Sequence, residues 1–152
     1  MEALALAIET SELGAALRRS PLLYPAVNLA HLMGLVMLVG GIGLLDLRII
    51  GFARTIPITA LSRFVTPIAV VGLLLQLTTG LLMFAPDAVG LSRSPLFLTK
   101  MALVVIGAAN ALLFRRLFGD LERAPTAAKL MAVGSLAIWL TAAGLGRWVG
   151  YT

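Results

Sequence analysis

The sequence contains no cysteine among its 152 residues. This excludes disulfide-stapled folds, cysteine-ligated zinc, iron–sulfur clusters and thioether-attached haem. Charged residues are also scarce, at 12% of the chain, against ~25% in soluble domains. Because 60% of the residues are hydrophobic and the mean hydropathy is +1.01, the chain is neither disordered nor a soluble globular domain. These proportions predict an integral membrane protein.

Several chemical motifs are absent as well. The sequence has no Walker motif and no G-x-S-x-G turn, so neither a phosphate cradle nor a serine nucleophile elbow is indicated. No pair of acidic residues falls within one apolar segment, which argues against a cation pump with an acidic core. These absences leave open whether the chain is an enzyme.

The basic residues of the chain lie next to its apolar segments. The net charge is +5 and the isoelectric point is about 10.8, which in a soluble protein would suggest nucleic acid. Here the basic residues stand at the ends of apolar segments, where they set topology and contact anionic lipid. We therefore expect a lipid bilayer as the partner and no nucleic acid.

Four apolar segments have the length that a membrane-spanning helix needs, about 20 residues. We predict an all-α integral membrane four-helix bundle over residues 21–152, with spans at about 21–45, 64–84, 95–118 and 129–148. Ser20–Pro21 and Ser94–Pro95 supply a capping serine and a first-turn proline for spans one and three. In residues 1–20, Leu6, Leu13 and Leu17 share one side of a helical wheel, which predicts a short amphipathic helix on the membrane surface.

Lysine and arginine near the ends of the spans predict the orientation. One side of the membrane carries seven of them: Arg48, Arg54, Arg63, Arg115, Arg116, Arg123 and Lys129. The other side carries Arg18, Arg19, Arg93 and Arg147, with Lys100 as a fifth. The first side is expected to be cytoplasmic. Both termini would then be periplasmic in a bacterial inner (plasma) membrane.

Polar side chains at membrane depth are the candidate functional residues. His31, the only histidine, lies roughly 15 Å into span one at 1.5 Å per residue. Tyr24 and Asn28 share its helix face at spacings of seven and three residues. Gln76 and Thr79 of span two are expected at a similar depth. His31 could be an interhelical hydrogen-bonding residue, an axial ligand to haem or another metal, or a proton relay.

Lys100 lies about 8 Å into span three. Its ammonium could extend to the lipid headgroups, or it could face inward and pair with a haem propionate or another carboxylate. Asn28, His31, Gln76, Thr79 and Lys100 are thus candidates for one polar layer in the outer half of the bundle. With a single histidine, haem ligation by two histidines would require a dimer.

Charged residues near the cytoplasmic ends of the spans are interpreted as structural. Asp46 is expected to form an ion pair at the membrane interface. Its candidate partners are the cytoplasmic-face residues Arg48, Arg63 and Arg115. Positive charge also suits the C-terminal end of a helix.

Three groups of residues carry a resemblance to a known family: Tyr24–Pro25, His31, Gly40–Gly41 and Asp46–Leu47–Arg48 with Gly51; Thr79–Gly80; and Lys100 with Asn110. Over most of residues 15–148 the chain resembles an uncharacterised bacterial family of small four-span inner-membrane proteins, known only as a domain of unknown function. The resemblance implies location in the inner membrane and no particular activity.

Two further families are distantly similar. His31, Gly41, Arg48 and Lys100 stand in an order similar to that of the HemJ-type protoporphyrinogen oxidase, a four-helix membrane protein that binds haem b. This chain differs in lacking further histidines. Gly80 and Lys100 loosely resemble the copper-resistance protein D domain, which is implicated in copper passage.

Three hypotheses of function follow. The one that requires least is an accessory or structural membrane protein, which binds lipid or a membrane partner and whose polar layer fastens the helices. The second is a membrane redox protein that binds haem b or a porphyrin, with His31 as the axial ligand and Lys100 as the propionate partner. The third is a component of copper or small-anion transport, for which four spans would require an oligomer.

Overall fold

A computed structural model describes residues 2–119 and 124–151; Arg123, one of the cations counted above, lies outside them. The described residues form helices and no strand: α1 (Glu2–Glu9), α2 (Glu12–Arg19), α3 (Leu23–Ile50), α4 (Ile58–Phe84), a 3₁₀ turn (Ala85–Asp87), α5 (Ala88–Arg93), α6 (Pro95–Phe118) and α7 (Thr126–Val149). In this part of the chain, four helical stretches are long and apolar enough to cross a membrane. The predicted all-α fold, with four long apolar helices and a short helix at the N-terminus, is confirmed.

The first two long helices extend beyond the predicted spans. α3 continues past Leu45 to Ile50, and α4 begins at Ile58 rather than near Phe64. The tight turn between them needs Gly51, whose φ of +129° is strained for any other residue. The Arg48 guanidinium secures the turn by donating to the carbonyl oxygens of Arg54 (3.2 Å) and Ile56 (2.5 Å).

Small residues let α3 and α4 pack closely, and in the described structure these two helices share the most extensive contact. A Cβ atom added at Gly72 would lie 2.6 Å from the Leu38 nitrogen and 2.8 Å from the Gly34 carbonyl oxygen. The approach at Gly41 is less tight, since an added Cβ there would lie 3.1 Å from the Val65 carbonyl oxygen and from Ala69 Cβ. Close backbone approach of this kind replaces the hydrophobic driving force that is missing between helices in lipid.

α7 joins the two halves of the bundle, because it packs on both α3 and α6. Trp139 of α7 is buried with Leu38 of α3 and Ala69 of α4, and Val104 of α6 packs against them. Nearer the 51–57 turn, a second apolar cluster is formed by Ile49, Ile58, Ala128 and Ala132. We call the end of the bundle at this turn the loop end.

α4 and α6 are not closely packed in the described structure. Their side chains meet where the Phe84 and Phe97 rings stack, with centroids 5.5 Å apart. Most of α6 is covered by α7 alone, and Val105, Leu112 and several neighbours remain exposed. The bundle is therefore open along one side, between α4 and α6.

The N-terminal segment forms two helices rather than one. The break falls at Thr10–Ser11, where the Ser11 hydroxyl accepts from the Gly14 amide at 3.2 Å and caps α2. Of the leucines predicted to share one face, Leu17 is 2% exposed, whereas Leu6 and Leu13 are exposed. The break rotates α1 relative to α2, so no single stripe runs through both.

α1 and α2 lie across the end of the bundle opposite the loop end, which we call the capped end. The Glu9 carboxylate accepts from the Val89 amide at 2.8 Å. The Arg18 guanidinium donates to the Pro86 carbonyl at 2.8 Å. The exposed Arg93 forms an ion pair with Glu2 at 2.7 Å. These contacts fix the N-terminal helices to the connection between α4 and α6.

Candidate functional site

The polar side chains of α3 and α4 meet in the half of the bundle nearer the capped end. The His31 Nδ1 and Thr79 Oγ1 atoms are 2.8 Å apart, and the Gln76 amide donates to the His31 carbonyl at 2.6 Å. The imidazole lies against Gly80, where an added Cβ would be 3.5 Å from His31 Cε1. We call His31, Gln76, Thr79 and Lys100 the His31 cluster.

The hydrogen bonds of Thr79 assign the tautomer of His31. The Thr79 hydroxyl is 2.5 Å from the Leu75 carbonyl one turn earlier, to which it donates its single hydrogen. Its oxygen therefore accepts from His31 Nδ1–H. The neutral imidazole then carries its lone pair on Nε2, which makes no hydrogen bond to a described residue. This nitrogen is free to accept a hydrogen bond or to bind a metal.

Lys100 projects from α6 toward α7 and α3. An added Cβ at Gly146 of α7 would lie 3.3 Å from Lys100 Cε and 3.4 Å from its Nζ. The ammonium lies near the His31 side chain. Lys100 is half-buried, and it forms no ion pair or hydrogen bond with any described residue. The structure thus places the lysine with the histidine and without a counter-ion.

Two further candidate residues, Tyr24 and Asn28, are not joined to the His31 cluster. Tyr24, at the start of α3, is 38% exposed. Asn28 is half-buried, and its side chain makes no hydrogen bond within the described part of the chain. Both residues precede the part of α3 at which Gln76 and Thr79 make their contacts, so they share a helix face with His31 but not its neighbours.

The predicted ion pair of Asp46 is not formed among residues 2–119 and 124–151. Asp46 is buried, and the Ser135 hydroxyl of α7 is its hydrogen-bonding partner. Arg48 instead binds the turn carbonyls, and Arg63 and Arg115 are exposed. The reason is geometric, since Asp46 faces α7 whereas the arginines point away from the core.

The sequence did not indicate that Gly146 contacts Lys100 or that Ser135 contacts Asp46. Both residues lie on α7, where Gly146 faces Lys100 of α6 and Ser135 faces Asp46 of α3. Gly146 itself, as a small residue, was a local signal of close approach on α7. Among the described residues, no group of three or more histidine, cysteine, aspartate or glutamate side chains could hold a metal ion.

Comparison with known proteins gives one match. The model of a protein family, described as a family of unknown function, matches residues 7–152. No curated protein and no solved structure matches the chain. The similarities to HemJ-type oxidases and to copper-resistance protein D domains therefore stay predictions.

Proposed function

This chain belongs to that family of unknown function, DUF6644, and we propose from its geometry that it is a membrane protein that binds the anionic group of an amphipathic ligand at the His31 cluster. The observation that carries the proposal is the half-buried Lys100 ammonium, which lacks a counter-ion among the described residues. A charge within a membrane-spanning helix is costly when it is uncompensated. A bound anion would compensate it.

The surroundings of Lys100 favour a carboxylate with an apolar body. The Lys100 ammonium supplies hydrogen-bond donors, and an ionised carboxylate accepts hydrogen bonds through both of its oxygens. Many of the exposed side chains of α4 and α6 are apolar, Leu74 of α4 and Val105 of α6 among them. An amphipathic carboxylate satisfies both features, because its head pairs with the lysine while its body occupies an apolar, lipid-like environment.

Replacing Lys100 with glutamine should weaken the binding of such a ligand roughly ten- to hundredfold, because a charge-assisted hydrogen bond is worth about 1.5–3 kcal/mol. The probe is a fluorescent long-chain fatty acid, titrated against the purified protein in nanodiscs of neutral lipid. Lys100→Arg keeps the charge and should retain most of the affinity.

The matched control is Arg147→Gln, which removes one positive charge from the exposed part of α7 at the same end. It should bind the probe like the unmodified protein. Equal affinities for Lys100→Gln and Arg147→Gln would contradict the proposal. So would a complete lack of probe binding by the unmodified protein, which would favour the accessory role in which the cluster only fastens helices.

A second candidate ligand, haem b or another porphyrin, is favoured by the Nε2 lone pair of His31. The donor set fits in part: His31 would hold the iron, Lys100 would pair with a propionate, and Thr79 fixes the tautomer that leaves Nε2 available. Bound haem would supply one-electron chemistry. Within this chain, the protein contribution is orientation of the imidazole and compensation of the propionate charge.

The haem candidate predicts a Soret band in the protein purified in mild detergent from haem-supplied cells. His31→Ala should abolish the band, because no other histidine can replace the ligand. Thr79→Val should keep the iron ligand but alter the band, since it removes the acceptor that orients the ring. A spectrum without a Soret band in the unmodified protein would rule this candidate out.

The proposed setting is the inner membrane of a bacterium, with the capped end and both termini in the periplasm. The support is the excess of lysine and arginine at the loop end, where Arg48, Arg54, Arg63, Arg115, Arg116 and Lys129 lie. In this orientation the His31 cluster lies in the periplasmic half of the membrane. Association with a second copy or a membrane partner would be compatible with the exposed α6.

A further inference from the structure

Asp46 is a buried acidic side chain that the proposed ligand site does not use. It is 6% exposed, and its Oδ2 atom has no hydrogen-bond partner among the described residues. The carboxyl group has a hydrogen-bonding partner in the Ser135 hydroxyl of α7, which is itself 4% exposed. The carboxyl group therefore has Ser135 as a polar neighbour, while its Oδ2 atom is buried without a partner in the described structure.

The surroundings of Asp46 along the bundle are apolar in both directions. Toward the loop end, Ile49 packs with Ala132, one turn from Asp46 and Ser135 respectively. Toward the capped end, Ile42 packs beside Trp139. Asp46 and Ser135 thus form a polar pair between two apolar clusters, and we call them the Asp46 pair.

No cation of the packed helices reaches this carboxyl group in the described structure. Arg63 of α4, Arg115 of α6 and Lys129 of α7 are exposed. Arg48, on the same helix, uses its guanidinium for the carbonyls of the 51–57 turn. An ionised carboxylate in this position would be a desolvated and unpaired charge, which proteins avoid by neutralising the group.

We propose that Asp46 is a proton-binding site, in which Oδ2 carries the proton while Oδ1 accepts from the Ser135 hydroxyl. A proton fits better than a metal ion, because the described residues offer no further acidic or histidine ligand there. Asp46 lies four residues before the end of α3 at Ile50, about 6 Å from that end at 1.5 Å per residue. The proton therefore exchanges with water at the loop end.

Proton release is coupled to the contact between α3 and α7. Loss of the proton leaves a negative charge between two apolar clusters, where the Ser135 hydroxyl is the one polar partner among the described residues. Water or the Arg48 guanidinium has to reach the group, and either change separates Asp46 from the apolar side chains of α7. Protonated Asp46 thus keeps the loop end closed, and ionised Asp46 loosens it.

Infrared spectroscopy of the purified protein in nanodiscs tests the proton directly, because a protonated carboxylic acid and a carboxylate absorb at different frequencies. At neutral pH we expect one carboxylic-acid band that is lost in Asp46→Asn and retained in Asp87→Asn, whose residue is exposed. Ser135→Ala should shift the band, because it removes the hydrogen bond to the carboxyl group.

Isotopic labelling of aspartate in the unmodified protein provides a test that requires no variant. The label should move the same band, which assigns it to an aspartate. A spectrum with no carboxylic-acid band at neutral pH, or a band that persists in a folded Asp46→Asn protein, would overturn the proposal.

Hydrogen–deuterium exchange tests the coupling. We expect amide exchange at the end of α3 and the start of α7 to become faster over the pH range in which the infrared band disappears. The increase should be smaller in Asp46→Asn, whose side chain stays neutral. Identical pH dependence in the two proteins would overturn the coupling. The band would then report a resident proton that the helix contact does not sense.

Discussion

Replacing Trp139 with alanine should lower the free energy of unfolding by about 3–5 kcal/mol, the range found for deleting large aromatic side chains from packed cores. Trp139 is 4% exposed and contacts residues of the other three long helices. An added Cβ at Gly107 of α6 would lie 2.9 Å from the indole ring, so this ring also holds α6. The variant should therefore lose the α6–α7 contact as well as core packing.

Unfolding in mixed micelles, followed by circular dichroism, measures this loss. The chain offers a matched control, because its second tryptophan, Trp148, is 66% exposed. Trp148→Ala should change the free energy of unfolding by less than about 1 kcal/mol. Trp139→Phe should have an intermediate effect, since it retains most of the ring and removes an indole N–H that lacks a partner among the described residues. Equal losses for Trp139→Ala and Trp148→Ala would show that the four helices do not meet at Trp139.

Replacing Gly72 with alanine should destabilise the protein by roughly 1–3 kcal/mol or more, because one added methyl group meets backbone that has no space to yield. The Leu38 nitrogen and the Gly34 carbonyl oxygen would both lie under 3.0 Å from the new carbon. α3 and α4 would have to separate, which would also displace His31 from Thr79. The same variant should thus weaken ligand binding at the His31 cluster.

Gly40 provides the control for this substitution. It lies in α3, and an added Cβ there would meet no atom of the described residues within 4 Å. Gly40→Ala should leave stability unchanged or raise it by up to about 1 kcal/mol, because alanine favours a helix over glycine. Thermal unfolding of the two variants, measured side by side, separates the steric effect from helix propensity. A Gly72→Ala protein as stable as Gly40→Ala would mean that α3 and α4 do not approach this closely.

The long helices could be predicted because their signals are local. A continuous apolar run specifies a spanning helix wherever its neighbours lie. The Ser94–Pro95 pair likewise starts α6, with the Ser94 hydroxyl accepting from the Phe97 amide. The break between α1 and α2 is also encoded locally, by the capping residue Ser11. The apolar stripe through Leu6 and Leu13 nevertheless favoured a single helix.

The position of Asp46 could not be predicted from the sequence. A carboxylate near the end of an apolar segment beside arginines suits an interfacial ion pair equally well, and only the packing of α7 decides between the two environments. Ser135 lies far away in the sequence, and nothing around it identifies Asp46 as its partner. The peripheral position of α6 could not be predicted either, because its hydropathy resembles that of α3, which is better covered.

The His31 cluster shows the same division between local and long-range information. A rise of 1.5 Å per residue estimates how deep each side chain lies, and residues 31, 76, 79 and 100 do come together. The angular position of each helix about its axis is set by close contacts, above all those of Gly34 and Gly72. Tyr24 and Asn28 share the helix face of His31, yet the described part of α4 offers them no hydrogen-bonding partner.

Because the bundle is open between α4 and α6, occupancy of the Lys100 site would depend on the concentration of the ligand in the bilayer rather than in water. A molecule that enters through this opening comes from the hydrocarbon phase of the bilayer, where amphipathic carboxylates partition strongly out of water. Occupancy would then follow the mole fraction of the ligand among the lipids, so that diluting the protein with buffer would leave it bound. Diluting the membrane with added lipid would release it.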